Sequence, residues 1–202
     1  MPVKYKTSNI YLEAVKQNGD VLKEVPEELK TAEICIEAVK KSNLVLQHIP
    51  EKLKTAEVCY EAVKKNGIAL QYVPEQHKTA ELCNKAVKGN PHAFEFIPEE
   101  FKTAGLCFET VKRNGIMLKF VPEVYKTTEL CLEAVKKNGL ALKYVHKILN
   151  PGDIGLQAVK QNIKVFRDIP AKLKTREICL EALRQDSSML KYVPENLKTE
   201  LQ

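Results

Sequence analysis

Six cysteines and four histidines are the residues of this chain best suited to chemistry, as thiol nucleophiles, disulfide partners or metal ligands. Cys35, Cys59, Cys83, Cys107 and Cys131 follow one another at intervals of 24 residues, and Cys179 stands 48 after the last of them. Disulfide frameworks and metal knots use clustered, uneven spacings. An even interval argues instead for thiols buried one at a time in a core, where free cysteine behaves as a small apolar residue. Buried thiols imply a reducing compartment, which makes the expected location cytoplasmic. His48, His77, His92 and His146 share no register, and none has a Cys or His three or four residues on. No glycine-rich phosphate loop of the P-loop or dinucleotide type is present. The reading is therefore no catalytic residue, no metal, no cofactor and no enzyme.

The interval that spaces the cysteines spaces everything else. From Thr7 the chain divides without insertion into eight 24-residue repeats, 7–30, 31–54, 55–78, 79–102, 103–126, 127–150, 151–174 and 175–198, and residues 199–202 begin a ninth. The consensus is T-A-E-[IL]-C-x-E-A-V-K-K-N-G-x-A-L-K-Y-V-P-E-x-L-K. A fixed period in this range means stacked supersecondary units, none of which buries its apolar face alone. In the third repeat Thr55 is placed to cap a helix N-terminus, with Glu57 in its first turn. Val58, Cys59, Ala62 and Val63 form its apolar face, and Glu61 sits four residues before Lys65 as a surface pair. Asn66-Gly67 is expected to end the helix through a left-handed glycine. A second, shorter helix carries Leu70 and Val73 until Pro74 stops it, and one more turn leads to the next Thr.

In the first helix, repeat positions 2, 4, 5, 6, 8 and 9 are apolar or small, so it is expected to be buried between neighbours. The fold class is all-α, an α-solenoid of eight two-helix repeats occupying 1–202 as one superhelical rod or arc. At the usual helix spacing it would run roughly 65–80 Å. The chain is 44% hydrophobic and 29% charged, enough apolar content for a core. No apolar run approaches the roughly 18 residues of a membrane span, and the opening MPVKYKTSNIYLEAV has no signal-peptide pattern. The net charge of +6 permits a nucleic-acid partner without arguing for one.

The repeats resemble a short helical repeat of bacteria, protozoa and large viruses known only as a domain of unknown function, with units of the form E-x-x-L-x-A-V-K-x-N-G-x-A-L-x-Y-[AV]. Glu57 to Val73 and Glu129 to Val145 carry the resemblance most closely. It covers essentially the whole chain. It implies a helical repeat architecture and no activity, so it assigns no catalytic residue.

Positions that break the pattern are where a partner would be read. Positions 14 and 18 are four apart on the second helix and so share a face. In repeats two to six they are Leu44/His48, Ile68/Tyr72, His92/Phe96, Ile116/Phe120 and Leu140/Tyr144, against Asp20/Glu24 in the first and Lys164/Asp168 in the seventh. This stripe serves either inter-repeat packing or a partner groove lined by Tyr72, Phe96, Phe120 and Tyr144. Position 10 forms a basic ladder, Lys16, Lys40, Lys64, Lys88, Lys112, Lys136, Lys160 and Arg184, able to follow a phosphate backbone or to be a solvated face shared with the glutamates of positions 3 and 7. The junction of repeats six and seven, from His146 to Asp153, loses the proline of the consensus and gains Asn150-Pro151-Gly152. A solenoid acts by occupancy. The expected function is that of an adaptor or steric inhibitor of a protein or ribonucleoprotein complex, a defence or nuclease complex among the candidates. The alternative is a nucleic-acid binder using the ladder. No membrane partner is expected, and an open last turn would allow end-to-end self-association.

Overall fold

The computed structural model describes residues 3–42, 44–145 and 151–199, with backbone only for 3–7 and 151. The fold is an all-α solenoid, with no strand among the described residues. Two compact halves, Met1–Phe101 and Lys102–Gln202, are each built in the same way.

The first half contains α1 (Val3–Gln17), α2 (Ala32–Lys41), α3 (Ala56–Lys65) and α4 (Ala80–Gly89). The second contains α5 (Ala104–Arg113), α6 (Thr128–Lys137), α7 (Pro151–Gln161), α8 (Arg176–Gln185) and the single turn α9 (Glu195–Lys198). Helices α2 to α6 and α8 open on a threonine in extended conformation whose Oγ1 accepts from the amide of the third helical residue, as Thr55 does from Val58 at 3.3 Å. The first helix starts earlier and runs through Thr7 without a break.

The second helix of each repeat is not α-helical. It is a short 3-10 helix, such as Gly67–Tyr72 or Gly115–Phe120. One residue joins the two helices. Asn66 donates its own amide to Ala62 O at 3.0 Å, ending α3, and its Oδ1 accepts from Ile68 N at 3.1 Å, starting the 3-10 helix. Asn18, Asn90, Asn114, Asn138, Asn162 and Asp186 do the same. This cap, not the glycine, is the stop. Repeat seven has Asn162-Ile163, and α7 still ends at Gln161.

The glycine of the Asn-Gly pair answers a different need. Among the described residues none, glycine included, has a positive φ, so the left-handed stop expected from the sequence is absent there. A Cβ on Gly19, Gly67, Gly115 or Gly139 would instead lie under 3.0 Å from the carbonyl oxygen of Ala38, Ala86, Ala134 or Ala158, respectively. Each is position 8 of the next repeat, so the backbone of one repeat rests on the backbone of the following helix.

The core is formed by positions 4, 5, 8 and 9 of the α-helix with 15, 16 and 19 beyond it, for example Val58, Cys59, Ala62, Val63, Ala69, Leu70 and Val73. Burying a Val or Leu side chain contributes about 1.5–3 kcal/mol. Position 2 is exposed, and position 6 is partly so, with Tyr60, Phe108 and Leu180 among the exposed large apolar residues. The α-helix is thus buried on one broad face, less completely than its composition suggests. Gly155, in the cysteine's place, leaves no hole: Ile178 Cδ1 lies 3.0 Å from where its Cβ would be.

Replacing Gly67 or Gly115 by Ala should therefore cost about 1–3 kcal/mol by overpacking. Gly105→Ala, on a helix surface with nothing within 4 Å, should raise stability by about 0.5 kcal/mol. Denaturant titration of the three variants checks both signs.

Candidate interaction surface

The 3-10 geometry changes how the aromatic stripe is arranged. With three residues per turn, positions three apart eclipse, whereas positions 14 and 18 lie about 120° apart. Leu44, Ile68, His92, Ile116 and Leu140 therefore share a face with position 17, and His48, Tyr72, Phe96, Phe120 and Tyr144 share one with position 15. The single-face stripe becomes two rows. Neither row is fully buried: Leu44 is 51% and Leu140 43% exposed, and Ile68, Ile116, Tyr72, Phe96, Phe120 and Tyr144 are half-buried. Several rings carry an ammonium group from the preceding residue, Lys119 at 4.1 Å from the Phe120 centroid and Lys143 at 4.9 Å from that of Tyr144. His146 and the altered junction up to Asn150 lie outside the described residues.

The basic ladder is largely tied to its own glutamates. Lys16, Lys40, Lys64, Lys136 and Arg184 pair with the Glu three residues earlier at 2.8–3.4 Å. Glu61 thus pairs with Lys64, not with Lys65 as its spacing suggested; Lys65 Nζ instead donates to Lys40 O of the preceding helix at 2.6 Å. Lys112 is exposed in the last turn of α5. Lys88 and Lys160 are exposed too, but follow Lys85 and Gln157 where other repeats have the glutamate.

The lysine that matters most to the scaffold is at position 24. Lys54 and Lys78 have side chains only 8% exposed and pair at 2.6 Å with Glu51 and Glu75. Lys30, Lys78 and Lys174 also reach the next repeat, donating to the backbone oxygens of His48 (2.9 Å), Phe96 (3.1 Å) and Tyr192 (2.8 Å). Burial lowers the pKa of Lys174 from its ordinary value. The sequence carries a signal for these residues: Lys ends seven of eight repeats while its neighbour at position 22 varies freely.

All six thiols are free and buried. Burial pushes Cys35, Cys59, Cys83 and Cys131 up to about 11, against a smaller opposing pull from the position 24 lysine. They are protonated, and so poor nucleophiles, at neutral pH. Among the described residues no group of His, Cys, Asp and Glu side chains is arranged to hold a metal ion, and no helix is long and apolar enough to cross a membrane.

Four stretches of the chain, residues 8–54, 55–102, 105–150 and 154–198, match the family described as Domain of unknown function (DUF4116). The chain belongs to this family. Each match spans two 24-residue repeats, and the second coincides with repeats three and four. Neither the curated proteins nor the solved structures contain a match.

Truncating Lys78 to Ala should cost about 1–3 kcal/mol, because the Phe96 carbonyl loses its partner in a covered site. Lys64→Ala, an exposed pair, should cost at most about 1 kcal/mol. Thermal melts separate the two. The thiols give a pH signature. A thiol whose folded pKa lies above its unfolded value of 9.0 stabilises the fold below that value, and the contribution is lost as pH rises through about 11. Stability should fall between about pH 9 and 11, and a Cys59→Ala, Cys83→Ala variant should show a shallower fall over that window.

Proposed function

We propose that this chain is a non-catalytic binding module that acts by occupancy, as an adaptor or steric inhibitor of a protein complex. The observation that carries this reading is the set of half-exposed apolar and aromatic residues on the 3-10 helices or capping them: Leu44, Ile68, Tyr72 and Phe96 in the first half, Ile116, Phe120, Leu140 and Tyr144 in the second. They recur in register on a backbone fixed by asparagine caps and close glycine contacts. Rigid aromatic side chains on a rigid support are what interface anchors require. Six cysteines, each buried in its own repeat, fit a reducing compartment such as the cytoplasm.

The nucleic-acid reading rests on the position 10 ladder and is weaker. Most of its described cations already hold a glutamate, and an anionic ligand would have to compete with that carboxylate. Lys88 and Lys160, which lack the glutamate in sequence, are its best remaining support.

Affinity capture from the native host, with and without nuclease, tests the reading. A protein partner retained after nuclease treatment, and lost about tenfold or more in Phe96→Ala or Phe120→Ala with only a small change in melting temperature, is the expected result. A large fall in melting temperature with unchanged capture would assign the rings to packing. Capture that vanishes with nuclease and weakens steeply with salt would favour nucleic acid.

A further inference from the structure

Position 17 divides the molecule by charge. In the first half it reads Lys23, Gln47, Gln71 and Glu95; in the second it reads Lys119, Lys143, Arg167 and Lys191, all four exposed. The 3-10 geometry stacks each of these cations on the residue three before it. The outward face of the second half is therefore Ile116 over Lys119, Leu140 over Lys143, Lys164 over Arg167 and Ser188 over Lys191. The 3-10 helices that carry these pairs are successive neighbours, Gly115–Phe120 beside Gly139–Tyr144, then Ile163–Arg167, then Ser187–Tyr192.

Five cations thus share one face with two partly exposed aliphatic side chains. Unlike the position 10 ladder, none of the five is paired with a carboxylate among the described residues. The adjacent carboxylates are Asp168, next to Arg167, and Asp186, which caps Ser188 N at 2.8 Å and feels the charge of Lys191 without a direct ion pair.

We propose that this face binds an acidic segment of a partner protein that also carries apolar side chains. The inference rests on the binding-module reading above and gives that partner a chemistry. Charge complementarity supplies the first reason, since a row of unpaired cations attracts carboxylates and speeds encounter with them. The rings supply the second. Phe120, Tyr144 and Tyr192 each carry a lysine ammonium group at 4.1, 4.9 and 5.1 Å from the ring centroid. Single-stranded nucleic acid would need those ring faces for stacked bases. A carboxylate can approach the lysines and leave the ring contacts in place. Ile116 and Leu140 add apolar contacts that a sugar-phosphate backbone does not use.

The test is fluorescence polarisation with the full chain and three labelled probes: a peptide of repeated Glu-Glu-Leu, a poly-glutamate peptide of equal charge, and oligo-dT. The Glu-Glu-Leu peptide should bind best, and Lys119→Glu with Lys143→Glu should weaken it by about tenfold or more. Lys119→Gln with Lys143→Gln should weaken it less. Lys52→Glu, an exposed charge in the first half, should leave it unchanged, and circular dichroism melts should show all variants folded. Equal binding of poly-glutamate, tighter binding of oligo-dT lost in the same variants, no binding of the Glu-Glu-Leu peptide, or an equal loss in Lys52→Glu would each overturn the proposal. A captured host protein that is lost in Phe120→Ala yet kept by the double Glu variant would remove this inference and leave the binding-module reading standing.

Discussion

Four junctions between repeats rest on a contact in which side chains take almost no part. A glycine at the start of one 3-10 helix lies against the alanine carbonyl in the middle of the next α-helix, and no Cβ fits between them. Interiors packed at crystal-like density respond to a single methylene, so this approach sets the spacing for everything around it. Beside it Leu22, Leu70 and Leu118, on the 3-10 helices that begin with such a glycine, are fully covered. The junction of repeats three and four, where Gly67 makes this approach, also has Lys78 donating to Phe96 O. Where the glycine is missing, as at Ile163, the helix junction keeps its form, because the asparagine supplies the turn independently of the close approach.

Charge in this molecule therefore does two separate jobs. Lys65 at position 11 and Lys30, Lys78 and Lys174 at position 24 donate to backbone carbonyl groups near the ends of neighbouring helices, joining one repeat to the next. Lysines at position 10 mostly answer a glutamate on their own helix, a solvated arrangement worth little to stability. The cations at position 17 of the second half are exposed in four successive repeats, and among the described residues none forms an ion pair with a carboxylate. A formal charge of +6 cannot distinguish these jobs, since they differ by geometry and not by number.

The period, the threonine caps, the buried cysteines and the proline breaks were all legible in the sequence, because each depends on local chemistry recurring in phase. The reason for Asn-Gly was not. A left-handed stop and a close backbone approach select the same residue, and only the neighbouring chain tells them apart. The 3-10 character of the second helix was hidden as well, because six residues of mixed apolar pattern fit either helical period. That ambiguity placed Tyr72 and Ile68 on one face when they belong to two, and it concealed the pairing of positions 14 and 17. The role of Lys78 depends on Phe96 O, 18 residues away, a relation that no local window contains.

The asparagine that ends one helix while starting the next leaves no loop between them. In most helical folds such connections are where length varies, since extra loop residues cost little. Here the residue before Asn66 is helical and the residue after it is already in the next helix. An added residue would rotate every later side chain away from its groove. At this junction length cannot vary without disturbing the helices on both sides, so adjustment there falls to substitution at the exposed positions.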